Sequence, residues 1–248
     1  MNIANAVKED LAMKEWNALK SAIEKAGAQV EVLEPEGADR YPDIVFTANA
    51  AVIRKKKAYL ANFYYPERQG ERHFYEKWLK THGYETVGNR EIPFEGAGDA
   101  LWGGCGRNVL FVGVGPRTDV RALDDVAEKL DDGSNFKVLG CRLVDPRFYH
   151  IDTCFCPLQD GLAMFYPYAF DAVTRHNMAN ETDLIAVPEE DAAQFACNSV
   201  VIDKTVIMHK CSEKTIDLLG KHGFEVKFND MSEFLKSGGS AKCCTLEL

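Results

Sequence analysis

Hydrophobic residues recur at helical spacing in five stretches of similar size along the chain. In residues 10–27 they fall near every third or fourth position, and Gly27 is available to end the helix. The other four helices are predicted over residues 69–81, 119–130, 168–178 and 212–220. Between them, runs of Val, Ile, Phe and Tyr broken by polar turns predict hairpins, as at 50–63 and 200–209. The pattern predicts an α/β fold.

A small polar or thiol residue stands at the head of each predicted hairpin. The five heads are Asn49, Asp99, Asp152, Asn198 and Cys243, separated in turn by 50, 53, 46 and 45 residues. A near-constant spacing of this size is typical of stacked or radially arranged supersecondary units. Five units, each with strands and one helix, predict a closed ring in which the five polar or thiol residues point at a common axis. Because polar residues often precede strands, the spacing alone leaves an ordinary origin open.

The net charge of the chain limits the classes of partner that we expect it to bind. The chain has 29 Lys and Arg residues against 38 Asp and Glu residues, a formal net charge of −9 at pH 7. An acidic surface repels phosphate backbones and anionic lipids, and it favours small cationic ligands. No apolar run approaches the roughly 18 residues that span a bilayer. We therefore expect a small cationic substrate and neither a nucleic acid nor a membrane partner.

The eight cysteines follow no regular framework, in a chain large enough to bury its own core. This distribution is typical of reduced thiols in a cytoplasmic protein, and residues 1–10 show no secretory signal. No Cys-x-x-Cys pair indicates a metal site, and Cys154 and Cys156 are expected to alternate across a strand. No glycine fingerprint of a nucleotide site follows a strand, so we predict no organic cofactor. Nothing in the pattern supports a particular oligomer.

Three segments at the repeat heads carry reactive groups. Glu95 and Asp99 flank a Gly-rich turn, His150 and Asp152 are expected on one side of an extended strand, and Cys243 follows a Gly/Ser-rich segment. A cysteine nucleophile, with an unperturbed pKa of about 8.5, needs a nearby cation, either protonated His or a bound guanidinium. Carboxylates hold such a planar cation through paired hydrogen bonds. Solvated acids, a core histidine and packed thiols remain the ordinary alternatives.

Six ordered motifs from residue 43 to the C-terminus resemble the guanidino-group modifying enzymes, which include arginine deiminases, arginine dihydrolases, dimethylargininases and glycine amidinotransferases. The motifs are Asp43-Ile-Val-Phe-Thr-Ala-Asn49, Pro66-Glu-Arg68, Phe94-Glu95-Gly-Ala-Gly-Asp99, Gly115-Pro-Arg117-Thr-Asp119, His150-Ile-Asp152 and Cys243. The resemblance implies the pentein fold, a five-bladed α/β propeller, formed here by a single catalytic domain over residues 1–248. Family members have an N-terminal strand that is not visible here, so the first blade is expected to be shortened; Asn2 or Asn5 is a candidate for part of that loop.

The resemblance also implies roles for individual residues. Cys243 resembles the nucleophile that attacks the guanidinium carbon and forms an amidino-thioether. His150 resembles the general acid and then the base, and Glu95 the carboxylate that orients and charges it. The implied substrate-binding residues are Asp99 and Asp152 on the guanidinium nitrogens, Arg68 and Arg117 on the α-carboxylate, and Asn49 and Asp43. For Arg117, a salt bridge to Asp119 is an alternative. No metal is implied.

The motif text favours free L-arginine, converted to ornithine or citrulline with release of ammonia. Dimethylargininases typically carry an acidic pair where this chain has Ala48-Asn49, and Lys in place of Asp152, whereas deiminases and dihydrolases have His-x-Asp. Dimethylation removes two N–H donors and would leave a buried Asp152 short of partners, at a cost of about 1–3 kcal/mol. A dimethylargininase, a non-catalytic pentein-fold binding protein and a thiol redox protein that uses Cys243-Cys244 are the alternatives.

Overall fold

The computed structural model describes residues 6–248; Asn2 and Asn5 lie outside this range. In the described range the helices are α1 (Glu9–Lys25), α2 (Pro66–Gln69), α3 (Glu71–Thr81), α4 (Gly96–Asp99), α5 (Ala122–Leu130), α6 (Ala172–Glu181), α7 (Glu189–Ala192), α8 (Glu213–Lys221) and α9 (Ser232–Leu235). The strands are β1 (Ala51–Arg54), β2 (Lys57–Leu60), β3 (Glu85–Val87), β4 (Ala100–Gly103), β5 (Val109–Val114), β6 (Lys137–Arg142), β7 (Phe155–Gln159), β8 (Leu162–Phe165), β9 (Asp183–Ala186), β10 (Val200–Ile202), β11 (Thr205–Met208) and β12 (Glu225–Phe228).

The strands form four three-stranded sheets within the described residues, and all four have the same topology. In each sheet the first strand pairs antiparallel with the second, and the second pairs parallel with the third. A parallel pair needs a crossover connection, which α3, α5, α6 and α8 supply in their respective units. The α/β architecture and its repeat are therefore confirmed, with four sheets in place of the five predicted units.

The predicted helices are confirmed, with shifts at their N-termini that local hydrogen bonds explain. The helix predicted from residue 168 begins at 172, after Asp171. The Asp171 carboxylate accepts a hydrogen bond of 2.7 Å from the Thr174 amide, which caps the first turn. Residues 167–169 instead form a separate 3₁₀ turn.

Two local predictions at the repeat heads are wrong. Residues 151–153 form a 3₁₀ turn rather than an extended strand, because the Thr153 hydroxyl donates to the His150 carbonyl at 2.7 Å and closes the turn. No strand follows Cys243 in the described chain; residues 242–244 form another 3₁₀ turn. The Gly-rich turn after Glu95 is a single helical turn, α4. The repeat heads therefore lie in tight turns just before or between strands.

Helix α1 supports the C-terminal segment that carries Cys243. Leu19 and Ile23 share an apolar cluster with Phe234, Ala241 and Cys243. On the same face of this helix, one turn before Leu19, Glu15 accepts hydrogen bonds from the Glu233 amide and the Ser232 hydroxyl at the start of α9. The N-terminal helix thus fixes α9 and the loop that follows it. None of the helices among residues 6–248 has the length and apolar character needed to cross a membrane.

Candidate active site

Two of the five repeat heads, Asn49 and Cys243, line a cavity of about 240 Å³. Asn49, His150 and Cys243 all line it, together with Arg68 and Arg117. These residues come from five separate segments of the chain, so the tertiary fold brings together what the sequence spreads over some 200 residues. The imidazole and the C-terminal thiol face the same space, which is the arrangement that the proposed chemistry requires.

His150 is paired with a carboxylate at the cavity floor. Its Nε2 lies 2.6 Å from Glu95 Oε2, and Glu95 also accepts from Arg117 Nη1 at 3.0 Å and from the Tyr64 amide at 3.1 Å. Burial alone would raise the pKa of Glu95, but the hydrogen bond and charge of His150 and the charge of Arg117 outweigh it and hold that pKa at about 2. Glu95 therefore stays ionised at neutral pH.

The protonated form of His150 is stabilised by the acids around it. Burial lowers the pKa of His150, but Asp99, the hydrogen bond to Glu95 and the charge of Asp152 outweigh this effect, and the net shift is upward. Nε2 faces Glu95, while Nδ1 lies 3.5 Å from Asn49 Nδ2, and both His150 and Asn49 line the cavity. His150 is thus suited to donate a proton near neutral pH.

Two glycines let the first two repeat heads pack against each other. A Cβ atom at Gly98 would lie 2.1 Å from Asn49 Nδ2 and 3.2 Å from His150 Nδ1. Gly96 has a φ of +59°, and a Cβ atom there would lie 2.7 Å from the backbone of Asn49. The Gly-Ala-Gly segment is therefore required for the close approach of Asn49 to His150.

Arg68 is engaged by neighbours that the sequence did not single out. Its Nε and Nη2 each donate to the Glu71 carboxylate at 2.8 Å, and its Nη1 donates to Asn49 Oδ1 at 3.0 Å. Asn49 in turn directs its Nδ2 toward His150 Nδ1, at 3.5 Å. The missed residue Glu71 follows Arg68 by three positions, a spacing that places the pair on one helical face. Asp43 lines the cavity and accepts from Arg68 through its carbonyl at 3.1 Å.

Arg117 lies between two tyrosine rings at the cavity mouth. Its guanidinium carbon is 4.5 Å from the ring centre of Tyr65 and 4.9 Å from that of Tyr149. Its ionic partner is Glu95, while Asp119 pairs with Arg121 at 2.8 Å. The alternative of a salt bridge between Arg117 and Asp119 is therefore wrong, because the nearer arginine satisfies that carboxylate.

Asp99 lies buried among groups that use both of its oxygens. Oδ2 accepts from the Thr118 hydroxyl at 2.7 Å, and Oδ1 accepts from the Ile151 amide at 3.1 Å. Burial raises the pKa of Asp99 to about 7, against the lowering effect of His150. Asp99, the second repeat head, is thereby hydrogen-bonded to the turn that contains Asp152, the third repeat head.

Cys243 and Asp152 form a thiol–carboxylate pair. The Cys243 Sγ donates to Asp152 Oδ2 at 3.1 Å, and both side chains are buried. The other oxygen, Asp152 Oδ1, is buried with no hydrogen-bond partner among the described residues. Burial and the adjacent Asp152 raise the pKa of the Cys243 thiol well above its usual value. Without a bound cation the sulfur therefore stays protonated at neutral pH.

We expect the charge of an alkylating reagent to decide the pH at which Cys243 reacts. Neutral 2-chloroacetamide should alkylate it only at a higher pH than an ordinary cysteine, because burial and the charge of Asp152 both disfavour the thiolate. Cationic 2-chloroacetamidine has nearly the same shape and neutralises Asp152, so its midpoint should be lower by at least about one unit. Peptide mass spectrometry at each pH measures both rates. Equal midpoints would show that Asp152 does not control the thiol.

The described residues also contain a contact to the sulfur that the sequence did not assign. Asn198 Nδ2 donates to Cys243 Sγ at 3.0 Å. Asn198 is the fourth repeat head, so the regular spacing was the signal that could have placed it in the site. Among residues 6–248, no group of three His, Cys, Asp or Glu side chains is arranged to hold a metal ion, and all eight cysteines are free thiols.

Curated relatives with named activities match nearly the whole chain. The bifunctional arginine dihydrolase/ornithine cyclodeaminase AgrE of Nostoc sp. is 40% identical over 244 residues, which cover 96% of this chain and 33% of AgrE. The N(G),N(G)-dimethylarginine dimethylaminohydrolase of Mycobacterium tuberculosis is 37% identical over 249 residues, covering 100% of this chain and 79% of that protein. The chain thus spans about a third of the length of its bifunctional cyanobacterial relative.

The fold and the family agree with these relatives. A crystal structure of the N-terminal domain of ArgZ, a cyanobacterial arginine dihydrolase, superposes with a TM-score of 0.91 at 37% identity, covering 97% of this chain and 87% of that domain. The family model described as N,N dimethylarginine dimethylhydrolase, eukaryotic, matches residues 1–248. The chain therefore belongs to the N,N dimethylarginine dimethylhydrolase family of the guanidino-group modifying enzymes.

Proposed function

We propose that this protein hydrolyses the guanidino group of free L-arginine, with Cys243 as nucleophile, and releases both terminal nitrogens as ammonia. The overall reaction consumes one arginine and two waters and yields ornithine, carbon dioxide and two ammonia molecules. Citrulline is the product of the first half of this reaction.

The partnerless oxygen of Asp152 is the observation that carries the choice of substrate. A buried carboxylate oxygen without a donor is costly, and an unsubstituted guanidinium NH₂ group supplies that donor. In asymmetric dimethylarginine one terminal nitrogen has no hydrogen to give, so only its single remaining NH₂ group could donate to this oxygen. The same cation would neutralise Asp152 and so favour ionisation of Cys243. Binding of arginine therefore satisfies the carboxylate and activates the thiol in one step.

The catalytic cycle follows from the two buried pairs. The Cys243 thiolate attacks the guanidinium carbon, and the bond to the departing nitrogen breaks as His150 gives that nitrogen a proton. An amidino-thioether remains on the sulfur. His150, now neutral, takes a proton from water, and the resulting hydroxide attacks the same carbon and expels the thiolate, which leaves citrulline. In a second round the thiolate attacks the ureido carbon of citrulline and expels the second ammonia. Hydrolysis of the resulting thiocarbamate then gives a carbamate of ornithine, which loses carbon dioxide. Glu95 keeps the imidazole oriented and favours its protonated form through both steps.

Solved structures of the relatives support this assignment. AgrE, in a cysteine-to-alanine variant, has been crystallised with L-arginine. The N-terminal domain of ArgZ has been crystallised with substrate in a cysteine-to-serine variant, and covalently bonded to a reaction intermediate in an asparagine-to-serine variant. A covalent intermediate in so similar a protein supports nucleophilic catalysis by Cys243.

In this proposal, charged and polar side chains of the cavity bind the amino-acid end of the substrate. We assign the α-carboxylate to Arg68 and Arg117, and further contacts to Asn49 and Asp43. All four residues line the cavity. Arg117 is held by Glu95 and by its two tyrosine neighbours, so a carboxylate that pairs with it is fixed in orientation. Asp99, whose oxygens accept from Thr118 and Ile151, acts on the site through its charge, which favours the protonated form of His150.

Dimethylarginine is the second candidate substrate. The name of the matching family model and the 37% identity to the mycobacterial dimethylaminohydrolase favour it. In that reaction the same cysteine and histidine would release dimethylamine and leave citrulline. A non-catalytic binding protein fits less well, because buried acids that shift the pKa of a histidine and a thiol are typical of catalytic sites.

The repeat supports a five-bladed propeller as the finer description of the fold. Four sheets share one topology, and the fifth repeat head, Cys243, lies in a turn against Thr47 of the first, whose hydroxyl donates to the Cys244 carbonyl at 2.9 Å. This contact joins the last unit to the first, as ring closure requires. We infer that residues 1–248 form one catalytic domain around the shared cavity.

Product analysis tests the proposal. The purified protein should release two ammonia molecules per ornithine from L-arginine, and its kcat/KM for arginine should exceed that for asymmetric dimethylarginine by about 10–100-fold, the effect of one unpaired buried oxygen. Amino-acid chromatography with ammonia and dimethylamine assays measures both. Dimethylamine as the dominant product would overturn the choice of arginine, and citrulline as the end product would limit the reaction to one nitrogen.

A further inference from the structure

The side chain of Asn198 is fully buried and uses every hydrogen-bonding position it has. Its Oδ1 accepts from the backbone amides of Ser240 at 3.1 Å and Cys243 at 3.2 Å. Its Nδ2 donates to the Asp152 carbonyl at 3.1 Å and to the Cys243 sulfur at 3.0 Å. One amide group therefore connects the turn that carries Asp152 to the loop that carries the thiol.

The neighbours of Asn198 also fix which end of its amide faces the sulfur. Two backbone N–H groups point at one end, so that end must be the oxygen, and a flipped amide would oppose donors to donors. The NH₂ group is left to face Cys243. The sulfur thus meets a neutral donor on one side and the Asp152 carboxylate on the other.

We propose that Asn198 holds the Cys243 sulfur in its attacking position and stabilises the thiolate by a hydrogen bond, both before attack and when the sulfur leaves again. The proposal rests on the role of Cys243 as nucleophile in the proposed function. The thiol proton points to Asp152, so once it is lost that contact becomes repulsive. Besides the backbone hydrogen bond of Ser240, the amide of Asn198 is then the remaining side-chain hydrogen bond to the sulfur among the described contacts. A fixed donor aimed at a developing negative charge is a common source of rate enhancement.

Substitution of Asn198 reports on this hydrogen bond because the amide does not titrate. The titratable groups close to the sulfur are Asp152, Cys244 and Tyr149; Lys242 acts on Asp152, and His150 faces the same cavity. None of them is itself substituted when residue 198 is changed, although Asn198 also lowers the pKa of Asp152. A shift of the thiol midpoint in such a variant therefore measures the loss of the Asn198 amide, through its hydrogen bond to the sulfur and its effect on Asp152.

The test compares the pH midpoint of Cys243 alkylation by neutral 2-chloroacetamide in three variants with that of the unaltered protein. Asn198→Ala removes the donor and should raise the midpoint by about one to two units, as expected for a hydrogen bond to a charged group. Asn198→Asp keeps the acceptor oxygen and puts a negative charge against the sulfur, so it should raise the midpoint further. Ser199→Ala is the matched control: it deletes a neighbouring buried hydrogen bond, from the Ser199 hydroxyl to the Ala196 carbonyl at 2.6 Å, and should leave the midpoint unchanged.

The outcomes separate this role from a purely structural one. Midpoints that rise in the order unaltered, Ala, Asp, with a kcat/KM about 10–100-fold lower, support the proposal. A midpoint within about 0.3 units of the unaltered one in either folded variant, with only the melting temperature lowered, would overturn it. If Asn198→Asp does not fold, Asn198→Ala decides. The alkylation needs no turnover, so the shift can appear even if arginine is not hydrolysed, and failure of the proposed function is then seen separately.

Discussion

Replacing Cys243 with serine is expected to lower arginine hydrolysis by at least about 10⁴-fold while arginine still binds. A serine hydroxyl is far less acidic than a thiol, and no base in the site is placed to deprotonate it, since Asp152 is the group that a bound guanidinium would neutralise. The acids and arginines that hold the substrate remain in place. Ammonia release measures the rate, and calorimetry should give a dissociation constant close to the KM of the unaltered protein.

Cys244→Ser is the matched control for this variant. Cys244 is the adjacent buried thiol, packed in the same apolar cluster as Leu19 and Phe234, and its pKa is likewise raised by burial. Its sulfur does not face the cavity, so serine there should lower stability somewhat and leave kcat within about threefold. If Cys243→Ser keeps a tenth of the activity, or if Cys244→Ser is the inactive variant, the assignment of the nucleophile is wrong.

The parts of the fold that depend on local periodicity could be predicted from the sequence. Apolar spacing located the amphipathic helices, and the repeat heads located the starts of the first four hairpins. Both patterns depend only on residues within one unit. The 3₁₀ turn at 151–153 was missed because it depends on a hydroxyl of Thr153 that closes onto His150. The missing strand after Cys243 depends on long-range packing, with α1 and α9 holding the C-terminal segment in place.

The site shows the same division between local and distant effects. The motif resemblance assigned Cys243, His150 and Glu95 to the site, but it did not show that the Glu71 carboxylate accepts a hydrogen bond from Arg68. Nor could it assign Asn198, whose Nδ2 donates to the Cys243 sulfur and the Asp152 carbonyl, 45 and 46 residues away. Which residues of different units form hydrogen bonds depends on how the units pack against each other. The amino-acid sequence alone does not give that packing.

Before substrate binds, the two buried pairs favour opposite protonation states of the acid and the nucleophile. The Glu95–His150 pair favours a charged imidazole, since the pKa of His150 is raised and Glu95 stays ionised. The Asp152–Cys243 pair favours a neutral thiol. The acid needed to expel the leaving group is thus ready at neutral pH, whereas the nucleophile waits for a cation. Such an order protects the thiolate from reaction in the empty site.

His150→Asn tests the acid half of this division and is expected to lower arginine turnover by about 10³-fold. The departing nitrogen then has no proton donor. S-methyl-L-thiocitrulline carries methanethiolate as its leaving group, which departs without protonation, so the variant should still release about one equivalent of methanethiol in a burst. The amidino-thioether should then persist on Cys243, because no base activates water. Thiol titration in a single-turnover experiment measures the burst, and peptide mass spectrometry locates the adduct.

The control for this experiment is His209→Asn, since the His209 ring accepts a hydrogen bond from the Met231 amide at 3.0 Å outside the cavity and should not affect either substrate. A variant that loses the methanethiol burst to the same degree as arginine turnover, with no adduct on Cys243, would show that His150 does not act as the proton donor. The loss would then lie in thiol activation or substrate binding. A burst with a stable adduct can arise only if attack by the sulfur survives and both proton transfers depend on the imidazole, which is the division that the buried pairs predict.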